Sequence, residues 1–451
     1  MKKFISIFVL VFSVAGLFAL DTNKINDYFL KVNMAYHIPG MAFILTDSEK
    51  NLVCKTYGQC TNINQQFFIG SESKSFTAVC VMQLVEKGLI NLDDDISKYL
   101  PELKFEYPVT VKALLNQTSG LGNTMRISDI ALTKSYGKYE YSNLNYDLLG
   151  KIIEAVSQMS YEEYIQKNVF APLQMNDSIA NTQKVKKSEK LLNGNRNYFG
   201  YFVQGEANYP DKNSWFHESA GFIASTPCDY GKYLRMYLND GFSENKKQII
   251  KKESINQMWF DNVEISKKDS ARYGMGWNCD KINGETIICH GGQVENYITY
   301  QFILPEKQIA ATFMINANDE FGMNMLMANT VPDIISIING EEPSKVNILL
   351  YPMIHILVDI IYLLIVCFSV LIFCKSFRIQ KYTFKNIVFM IMKYVLWPLT
   401  LLFITKITAK MPLWVVKNFV PDLFIVIIIS SVFAFSGIAV IFCKRFLHLN
   451  K

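Results

Sequence analysis

Hydrophobic and polar positions divide this chain of 451 residues into two regions of different character. Between about residues 21 and 345, short apolar runs alternate with polar turns, and three long apolar stretches follow. Residues 39–58 (PGMAFILTDSEKNLVCKTYG) predict a β-hairpin, because two apolar runs flank a polar turn. The end of the first region returns to short strand-like runs, namely RYGMGWNC, ETIICHGG, YITYQFILP and QIAATFMINA.

Helical spacing of apolar residues dominates between these strands. It is found in TAVCVMQLVEKGLI, which ends at Gly88, in TVKALLNQTSGLG and in YSNLNYDLLGKIIEAVSQM, and a last helix is predicted in MNMLMANTVPDIISIIN. Strands at both ends with helices between them predict one antiparallel sheet that both termini join. The expected fold is therefore α/β (α+β), with an antiparallel β-sheet flanked by helices and an all-helical insert.

The three long apolar stretches predict transmembrane helices at about 348–374, 387–405 and 423–443, since each approaches the length of about 20 residues that spans the hydrocarbon core. The third lacks charged residues, whereas the second contains Lys393 and Pro398. The first contains His355 and Asp359, one helical turn apart. Such residues mark a partner or a pathway, or they lie near the membrane interface and extend toward water, which is the interpretation preferred here.

Residues 1–20 predict a secretory signal peptide, because Lys2 and Lys3 precede an apolar run and small residues near Ala19. An uncleaved signal anchor is the alternative. Basic residues follow the first and third apolar stretches, which places those ends in the cytoplasm. The expected organisation is an exported domain at 21–345 and a membrane region at 346–451, in a multi-pass protein of the cell membrane.

Charge and cysteine content indicate neither nucleic acid binding nor a metal site. The formal charge is +5, and part of it lies next to the membrane stretches. Of nine cysteines, the six in the exported region lack metal-ligand spacing, so neither a metal nor a cofactor is expected. Cys279 and Cys289 flank an Asn283-Gly284 turn, but a two-residue turn sets Cys279 opposite Ile288, so no disulfide is predicted.

The segment FFIGSESKSF (67–76) contains a candidate nucleophile. Ser71 and Lys74 are spaced to share one face at the start of a helix. A lysine can take the serine proton only if burial or a neighbouring cation disfavours its ammonium form. A backbone N–H at this helix N-terminus also offers one oxyanion donor. Taken alone, the same residues are more typical of a helix cap.

Two further motifs favour catalysis. In Tyr141-Ser142-Asn143, a tyrosine near a lysine ammonium can be held as phenolate and move protons, and Asn143 can orient the lysine or a substrate amide. In His290-Gly291-Gly292, the glycines let a substrate lie against the strand edge. The N–H of Gln293 would supply the second oxyanion donor, with His290 as a positive or hydrogen-bonding wall.

Together with blocks such as IPGMAFIL, EKGLINLDDDISKYLPE and HGGQVENY, these motifs resemble the serine β-lactamase-related family of class C β-lactamases, D-alanyl-D-alanine carboxypeptidases, D-aminopeptidases and esterases. The resemblance covers nearly the whole exported region and implies the penicillin-binding-protein fold. It implies that Ser71 is acylated, that Lys74 is its base, that Tyr141 moves the proton and that Asn143 contacts substrate and lysine. Ser73 falls on a position without a catalytic role.

Three positions depart from the family pattern. His290 takes the place of the lysine in the K-T-G motif. A histidine at this position is more typical of the peptidases and esterases than of dedicated β-lactamases. Asn296 stands where glycine is usual, and we expect it to adopt the left-handed backbone that asparagine tolerates. Gln117 stands where many relatives have histidine, and we expect neither change to affect the proton path.

The function that the sequence predicts is a membrane-anchored, extracytoplasmic serine hydrolase for a D-Ala-D-Ala-like peptide, a β-lactam or an ester. The alternative is a penicillin-binding sensor or scaffold that acylates or binds without efficient turnover and signals through its membrane helices. Residues 195–208 are expected among the pocket walls. The sequence identifies no protein partner.

Overall fold

The computed structural model describes residues 20–206, 209–210, 214, 216–267, 270–379, 383–409 and 411–449. The predicted signal peptide lies outside these residues except for its last position, Leu20. The strands are β1 (Gly40–Thr46), β2 (Asn51–Gly58), β3 (Phe67–Phe68), β4 (Asn195–Tyr198), β5 (Tyr201–Gln204), β6 (Ala224–Ser225), β7 (Val263–Glu264), β8 (Arg272–Gly274), β9 (Trp277–Ile282), β10 (Glu285–Val294), β11 (Tyr297–Leu304), β12 (Ile309–Ile315) and β13 (Ala317–Asn318).

Eight strands form the main sheet, in the order β2-β1-β12-β11-β10-β9-β8-β7. Every neighbouring pair is antiparallel, and β1 pairs with β12 so that Phe43 lies opposite Phe313. The two ends of the region therefore meet in the centre of one sheet, which confirms the predicted fold class. The predicted register of the β9–β10 hairpin is also confirmed, since Cys279 faces Ile288, and all nine cysteines are free.

The helices are α1 (Thr22–Tyr36), α2 (Ser73–Glu86), α3 (Val111–Leu115), α4 (Asn143–Ser157), α5 (Tyr161–Ile165), α6 (Thr182–Val185), α7 (Pro227–Leu238), α8 (Lys252–Phe260), α9 (Met323–Ile338), α10 (Leu350–Ser376), α11 (Phe384–Ile391), α12 (Trp397–Thr408), α13 (Leu413–Phe419) and α14 (Pro421–Leu449). Helices α2 to α8 form the insert between β2 and β7. The insert also holds the short strands β3 to β6, so it is not entirely helical.

Each face of the main sheet buries a separate apolar cluster. Phe29 of α1 and Ile334 of α9 pack with Phe43 on one face. Phe76 of α2 stacks on Tyr233 of α7 on the other, with ring centroids 3.7 Å apart. Burial of each such side chain contributes about 1.5–3 kcal/mol, so the cluster around Phe76 holds α2, with Ser71 before it, firmly against its face of the sheet.

Three helical stretches are long and apolar enough to cross a membrane, Leu350–Ser376, Asn386–Thr408 and Pro421–Lys444. They coincide with the three apolar stretches found in the sequence. The second stretch consists of α11, then a wide helical turn at Met392–Leu396, and then α12. Pro398 lies near the start of α12. The short helix α13 joins the second stretch to the third.

The first of these helices is bound to the sheet region through Asp319. The Asp319 carboxylate lies 2.8 Å from Nε2 of His355 and accepts a hydrogen bond from the Tyr351 hydroxyl at 2.7 Å. Tyr351 in turn accepts a hydrogen bond from Asn197 of β4 at 3.0 Å. His355 is buried in this contact, so the interpretation that it extends toward water is wrong: it binds the sheet region of its own chain.

Candidate active site

Ser71 lies at the point where the chain passes from β3 into α2. Buried Phe67, Phe68 and Ile69 bring the chain out of the core, and a 3-10 turn over Gly70–Glu72 leads into the helix. Gly70 has a φ of +54°, and a Cβ there would lie 2.2 Å from the backbone nitrogen of Gln293. Glycine is therefore required, because it lets β10 approach the residue next to Ser71.

Lys74 lies on the first turn of α2, fully buried behind Ser71. Its Nζ is 3.2 Å from Ser71 Oγ, 2.7 Å from Asn143 Oδ1 and 2.6 Å from the Ala220 carbonyl oxygen. Burial lowers the pKa of Lys74 to about 7, although the nearby Asp147 carboxylate acts in the opposite direction. Burial disfavours the ammonium form. A large fraction of Lys74 is therefore neutral near pH 7.

Tyr141 approaches Ser71 from the loop before α4. Its hydroxyl donates a hydrogen bond to Ser71 Oγ at 2.6 Å, and its ring lies 4.9 Å from Lys74 Nζ. Burial raises the pKa of Tyr141 above its usual range. At rest the residue is thus a neutral phenol that donates to the serine, rather than the phenolate that the sequence suggested.

Gln117 holds the loop that carries Tyr141. It adopts a left-handed backbone with a φ of +60°, and its Oε1 accepts hydrogen bonds from the Ser142 N–H, at 2.9 Å, and from Asn145. Its backbone carbonyl accepts the Glu140 N–H at 2.9 Å. Gln117 therefore holds both neighbours of Tyr141 in the chain, Glu140 and Ser142, while the expectation that the proton path is unaffected stays a prediction.

His290 lies on β10, beside Tyr141, with ring centroids 6.4 Å apart. Its Nδ1 is 2.7 Å from the Gly291 carbonyl, which can only accept, so Nδ1 carries the ring proton. Nε2 remains an acceptor and faces the Tyr273 hydroxyl at 3.5 Å. Burial lowers the pKa of His290 to about 4, so the ring is neutral at pH 7. It forms a hydrogen-bonding wall rather than a positive one.

The edge of β10 beyond His290 faces Ser71. Strand β9 pairs with β10 only over Glu285–Cys289, within the described residues, while β11 pairs with it as far as Val294. Gly292 packs so closely on Ile69 that a Cβ would lie 1.9 Å from the Ile69 carbonyl oxygen. This edge leaves room for an extended substrate beside Ser71 and Gln293.

A cavity of about 640 Å³ opens above Ser71. Every predicted site residue except Lys74 lines it; these are Ser71, Tyr141, Asn143, His290, Gly291, Gly292 and Gln293. Lys74 lies beneath its floor. Sequence reasoning missed part of the wall: Glu320, and four apolar residues from the C-terminal helices, Ala409, Met411, Val415 and Phe419.

Two expectations about the surroundings are wrong. Asn296 does not have a positive φ; its buried side chain instead accepts a hydrogen bond from Arg196 Nε at 2.7 Å and donates one to the Gly205 carbonyl. Within the described part of 195–208, no residue lines the cavity above Ser71. Strands β4 and β5 form a hairpin there, and Asn197 contacts Tyr351 of α10 instead.

Comparison with known proteins gives one family match. The family model described as "Beta-lactamase" matches residues 25–329. Among curated proteins, Protein flp of Staphylococcus aureus strain N315 is 27% identical over an alignment of 320 positions, and the match covers 63% of this chain and 61% of that protein. Beta-lactamase-like protein 4 of Dictyostelium discoideum is 26% identical over an alignment of 314 positions, and the match covers 57% of this chain and 53% of that protein. The chain thus matches less than two thirds of these relatives' length.

Solved structures share the fold. The octameric penicillin-binding protein homologue from Pyrococcus abyssi is similar with a TM-score of 0.61 and 26% identity, over 72% of this chain and 79% of that one. A D-stereospecific amidohydrolase from Streptomyces sp. has a TM-score of 0.55 and 20% identity, over 66% of this chain and 94% of that one. The second likeness concerns the fold alone.

Proposed function

This chain belongs to the beta-lactamase family, whose fold is that of serine hydrolases, and we propose that it is a membrane-anchored hydrolase that forms an acyl-enzyme on Ser71. One observation carries the proposal. Ser71 Oγ lies in an open cavity between the Tyr141 hydroxyl at 2.6 Å and the buried Lys74 amine at 3.2 Å. A serine so placed has a base and an acid within reach.

Lys74 is the proposed base for acylation. A neutral amine has two N–H bonds and one lone pair. The two N–H bonds are engaged by Asn143 Oδ1 and the Ala220 carbonyl, so the lone pair is left for the Ser71 proton. As Oγ attacks the substrate carbonyl carbon, its proton passes to Lys74. The negative oxygen that results would be held by the N–H groups of Ser71 and Gln293.

Tyr141 is the proposed acid for the leaving group. When the bond from the acyl carbon to the leaving oxygen or nitrogen breaks, that atom takes the Tyr141 proton. The extra proton on Lys74 then restores the phenol. In the second half, water gives a proton to Lys74 and attacks the acyl carbon; the bond from that carbon to Ser71 Oγ then breaks, and Lys74 returns the proton to Oγ.

Among the predicted substrates, the cavity favours an uncharged ester or amide. Of the described residues that line it, none is lysine or arginine, and His290 is neutral at pH 7. Glu320 adds a carboxyl group to the wall. Among the described residues that line the cavity, the free carboxylate of a D-Ala-D-Ala peptide or of a β-lactam would therefore meet no lysine or arginine, whereas an ester needs none.

For its location, we propose a sheet region (21–345) exported across the cell membrane and a membrane region (346–451) of three spans. Lys375 lies at the end of the first span, Arg378 follows it, and Lys444 ends the third span. This placement agrees with the preference of basic residues for the cytoplasmic side. The active site would then face outward, next to the membrane.

A fluorescent fluorophosphonate, a fluorescent penicillin and p-nitrophenyl butyrate test the proposal on the full chain in nanodiscs. Labelling and ester turnover are expected for the native chain and for Ser73→Ala, because Ser73 Oγ only accepts a hydrogen bond from the Ile223 N–H. Both should disappear in Ser71→Ala. If Ser73→Ala lost labelling while Ser71→Ala kept it, the nucleophile assignment would be wrong. If the native chain showed no labelling and no ester turnover, the proposal that it is an enzyme would be refuted.

The same assay separates the hydrolase from the sensor. Stable labelling by the ester or the penicillin without turnover would support a sensor that signals through its membrane helices. For the hydrolase, Tyr141→Phe should reduce kcat/KM about 10²-fold, the usual contribution of a positioned acid or base. A loss smaller than tenfold would argue against the role of Tyr141.

A further inference from the structure

The membrane region forms part of the active-site wall. The segment 409–419 follows the second candidate span and precedes the third, and it contains α13. Ala409, Met411, Val415 and Phe419 of this segment line the same cavity as Ser71. All four side chains are apolar, whereas many other residues that line the cavity are polar. We call these four residues the apolar wall.

The order of the spans places the apolar wall at the membrane surface. Three consecutive spans alternate in direction, so the start of α10, the end of α12 and the start of α14 lie on one side of the membrane. The sheet region lies on that side, because α10 follows it and is bound to it through His355. The segment 409–419 therefore lies where the bilayer meets the opening above Ser71.

Direct contacts fasten the active site to this surface from two sides. Asp319 binds His355 and Tyr351 of the first span, and the next residue, Glu320, lines the cavity and accepts a hydrogen bond from the Gln293 side chain at 3.1 Å. On the other side, the Arg126 guanidinium lies over the Trp414 ring of α13 at 5.1 Å. The opening is thus held against the membrane region by both walls.

We propose that the apolar wall is a subsite for the hydrocarbon chain of an amphiphilic ester or amide that is drawn from the bilayer. This inference rests on the proposed function and extends it to a substrate class. A hydrocarbon chain of the substrate that leaves the bilayer at this surface passes from lipid to the apolar wall without crossing water. The polar group of the substrate, with its scissile bond, is then placed at Ser71. Cleavage breaks the acyl bond to oxygen or nitrogen, forms the Ser71 ester and releases the protonated leaving group; water then releases the acyl group.

The chemistry of the cavity distinguishes this occupant from a soluble peptide. Four apolar side chains offer no hydrogen bond to a peptide backbone, and the absence of lysine and arginine among the described lining residues disfavours an anionic substrate. Relative to the substrate dissolved in water, each methylene that reaches this wall through the bilayer is expected to raise kcat/KM about three- to fourfold.

Two pairs of substrates test the subsite on the full chain in phospholipid nanodiscs. The first pair differs in the acyl chain, p-nitrophenyl butyrate against p-nitrophenyl dodecanoate. The second differs in the leaving group, S-ethyl against S-dodecyl thioacetate, followed by thiol release. The measured quantity is the ratio of kcat/KM for the long over the short member. Lipid and protein amounts are kept equal, so that partition of the long substrate into the nanodisc is the same for every variant.

Near-isosteric polar substitutions alter the wall without removing volume. In the substrate pair whose long chain occupies the subsite, the ratio of kcat/KM for the long over the short member should exceed one in the native chain. Met411→Gln and Val415→Thr should each lower this ratio about three- to tenfold. The matched control is Met353→Gln, since Met353 is 63% exposed on α10 and does not line the cavity. Its ratio should equal that of the native chain.

The outcomes distinguish failure of the subsite proposal from failure of the proposed hydrolase function. A native ratio of one or less in both pairs would overturn the subsite, and so would equal ratios in the native chain and both wall variants, while ester hydrolysis stands. A higher activity of the wall variants toward both members of a pair would also overturn it, because the segment would then obstruct the site. Failure to label Ser71 with a short fluorophosphonate, together with no turnover of any ester, would instead refute the proposed function itself.

Discussion

Among single residues, Lys74 differs from a typical lysine in its surroundings rather than in its chemistry. The side chain is completely buried and has polar contacts on three sides, with Ser71, Asn143 and the Ala220 carbonyl. Burial without a directly bonded carboxylate is what lowers the pKa of Lys74 to about 7. The residue can therefore act as a base at a pH where an exposed lysine would be an ammonium.

The pH dependence of acylation follows from this pKa. The neutral amine is the reactive form, and its fraction rises with pH until the pKa is passed. The rate of Ser71 labelling should thus increase about tenfold per unit below pH 7 and level off above it. Stopped-flow labelling with a neutral fluorophosphonate measures this profile. Lys74→Arg stays charged and should lose at least about 10² in rate; a flat profile between pH 5 and 9 would contradict the assignment.

Glu72, between Ser71 and Ser73, is a second buried ionisable residue. Burial raises the pKa of its carboxyl well above the usual range. The folded chain then keeps a proton that the unfolded chain releases above about pH 4.3. Stability should fall as the pH rises from there toward the raised pKa, by about 1.4 kcal/mol for each unit between the two pKa values.

Glu72→Gln tests this linkage, because glutamine has the same shape and no charge to lose. The variant should match the native chain near pH 4 and exceed its free energy of unfolding at pH 8, as followed by chemical denaturation in detergent. Glu253→Gln, on the exposed face of α8, serves as the control and should show no such pH-dependent difference. A native chain that grows more stable from pH 4.5 to 8 relative to Glu72→Gln would reverse the sign and reject the explanation.

At the scale of elements, the turn from β3 into α2 and the edge of β10 form one unit. Gly70 and Gly292 are both so close to the opposing backbone that neither position admits a Cβ. The sequence indicated both segments as candidate motifs but could not indicate their contact, because Ser71 and Gln293 are far apart in the chain. Formation of the main sheet brings them together.

Gly70→Ala should disable the site more than it destabilises the fold. A Cβ at residue 70 would push Gln293 away from Ser71, and loss of one oxyanion donor typically costs about 10²–10³ in kcat. Gly88→Ala is the matched control, since Gly88 also has a positive φ (+70°) but would place its Cβ in open space. It should lose about 1–2 kcal/mol of stability and little kcat. Equal kcat values in Gly70→Ala and Gly88→Ala would show that the Gln293 N–H does not take part in oxyanion binding.

At the scale of the whole molecule, the buried contact of Asp319 with His355 and Tyr351 joins the sheet region to the first span. The side chains of Asp319 and His355 are 3% and 5% exposed. Asp319→Ala would leave several buried polar groups without their acceptor, at a cost of about 2–5 kcal/mol.

This change should accelerate amide hydrogen exchange at the start of α10 and lower the melting temperature of the full chain in nanodiscs. Asp240→Ala is the control, because the Asp240–Lys252 pair is 58% exposed on both sides and contributes at most about 1 kcal/mol. If exchange at 350–356 stayed unchanged in Asp319→Ala, this contact would not be what holds the sheet region to the apolar C-terminal helices.

The sequence by itself determined the local elements and the residue types of the site. Periodicity, turn residues and apolar length are short-range properties, so the β1–β2 hairpin, the β9–β10 register and the three apolar helices could all be predicted. The motifs around Ser71, Tyr141 and His290 predicted the chemistry that we propose, since proton transfer requires particular functional groups.

Only the tertiary structure decided how those groups are charged and what surrounds them. The pKa values of Lys74 and His290 depend on burial by distant segments, and no local pattern encodes that burial. Gln117 contacts both neighbours of Tyr141 within the insert, and the apolar wall lines the cavity above Ser71 because the C-terminal helices pack against the sheet region. Packing between segments far apart in the chain creates these properties, so they emerge only when the chain is folded.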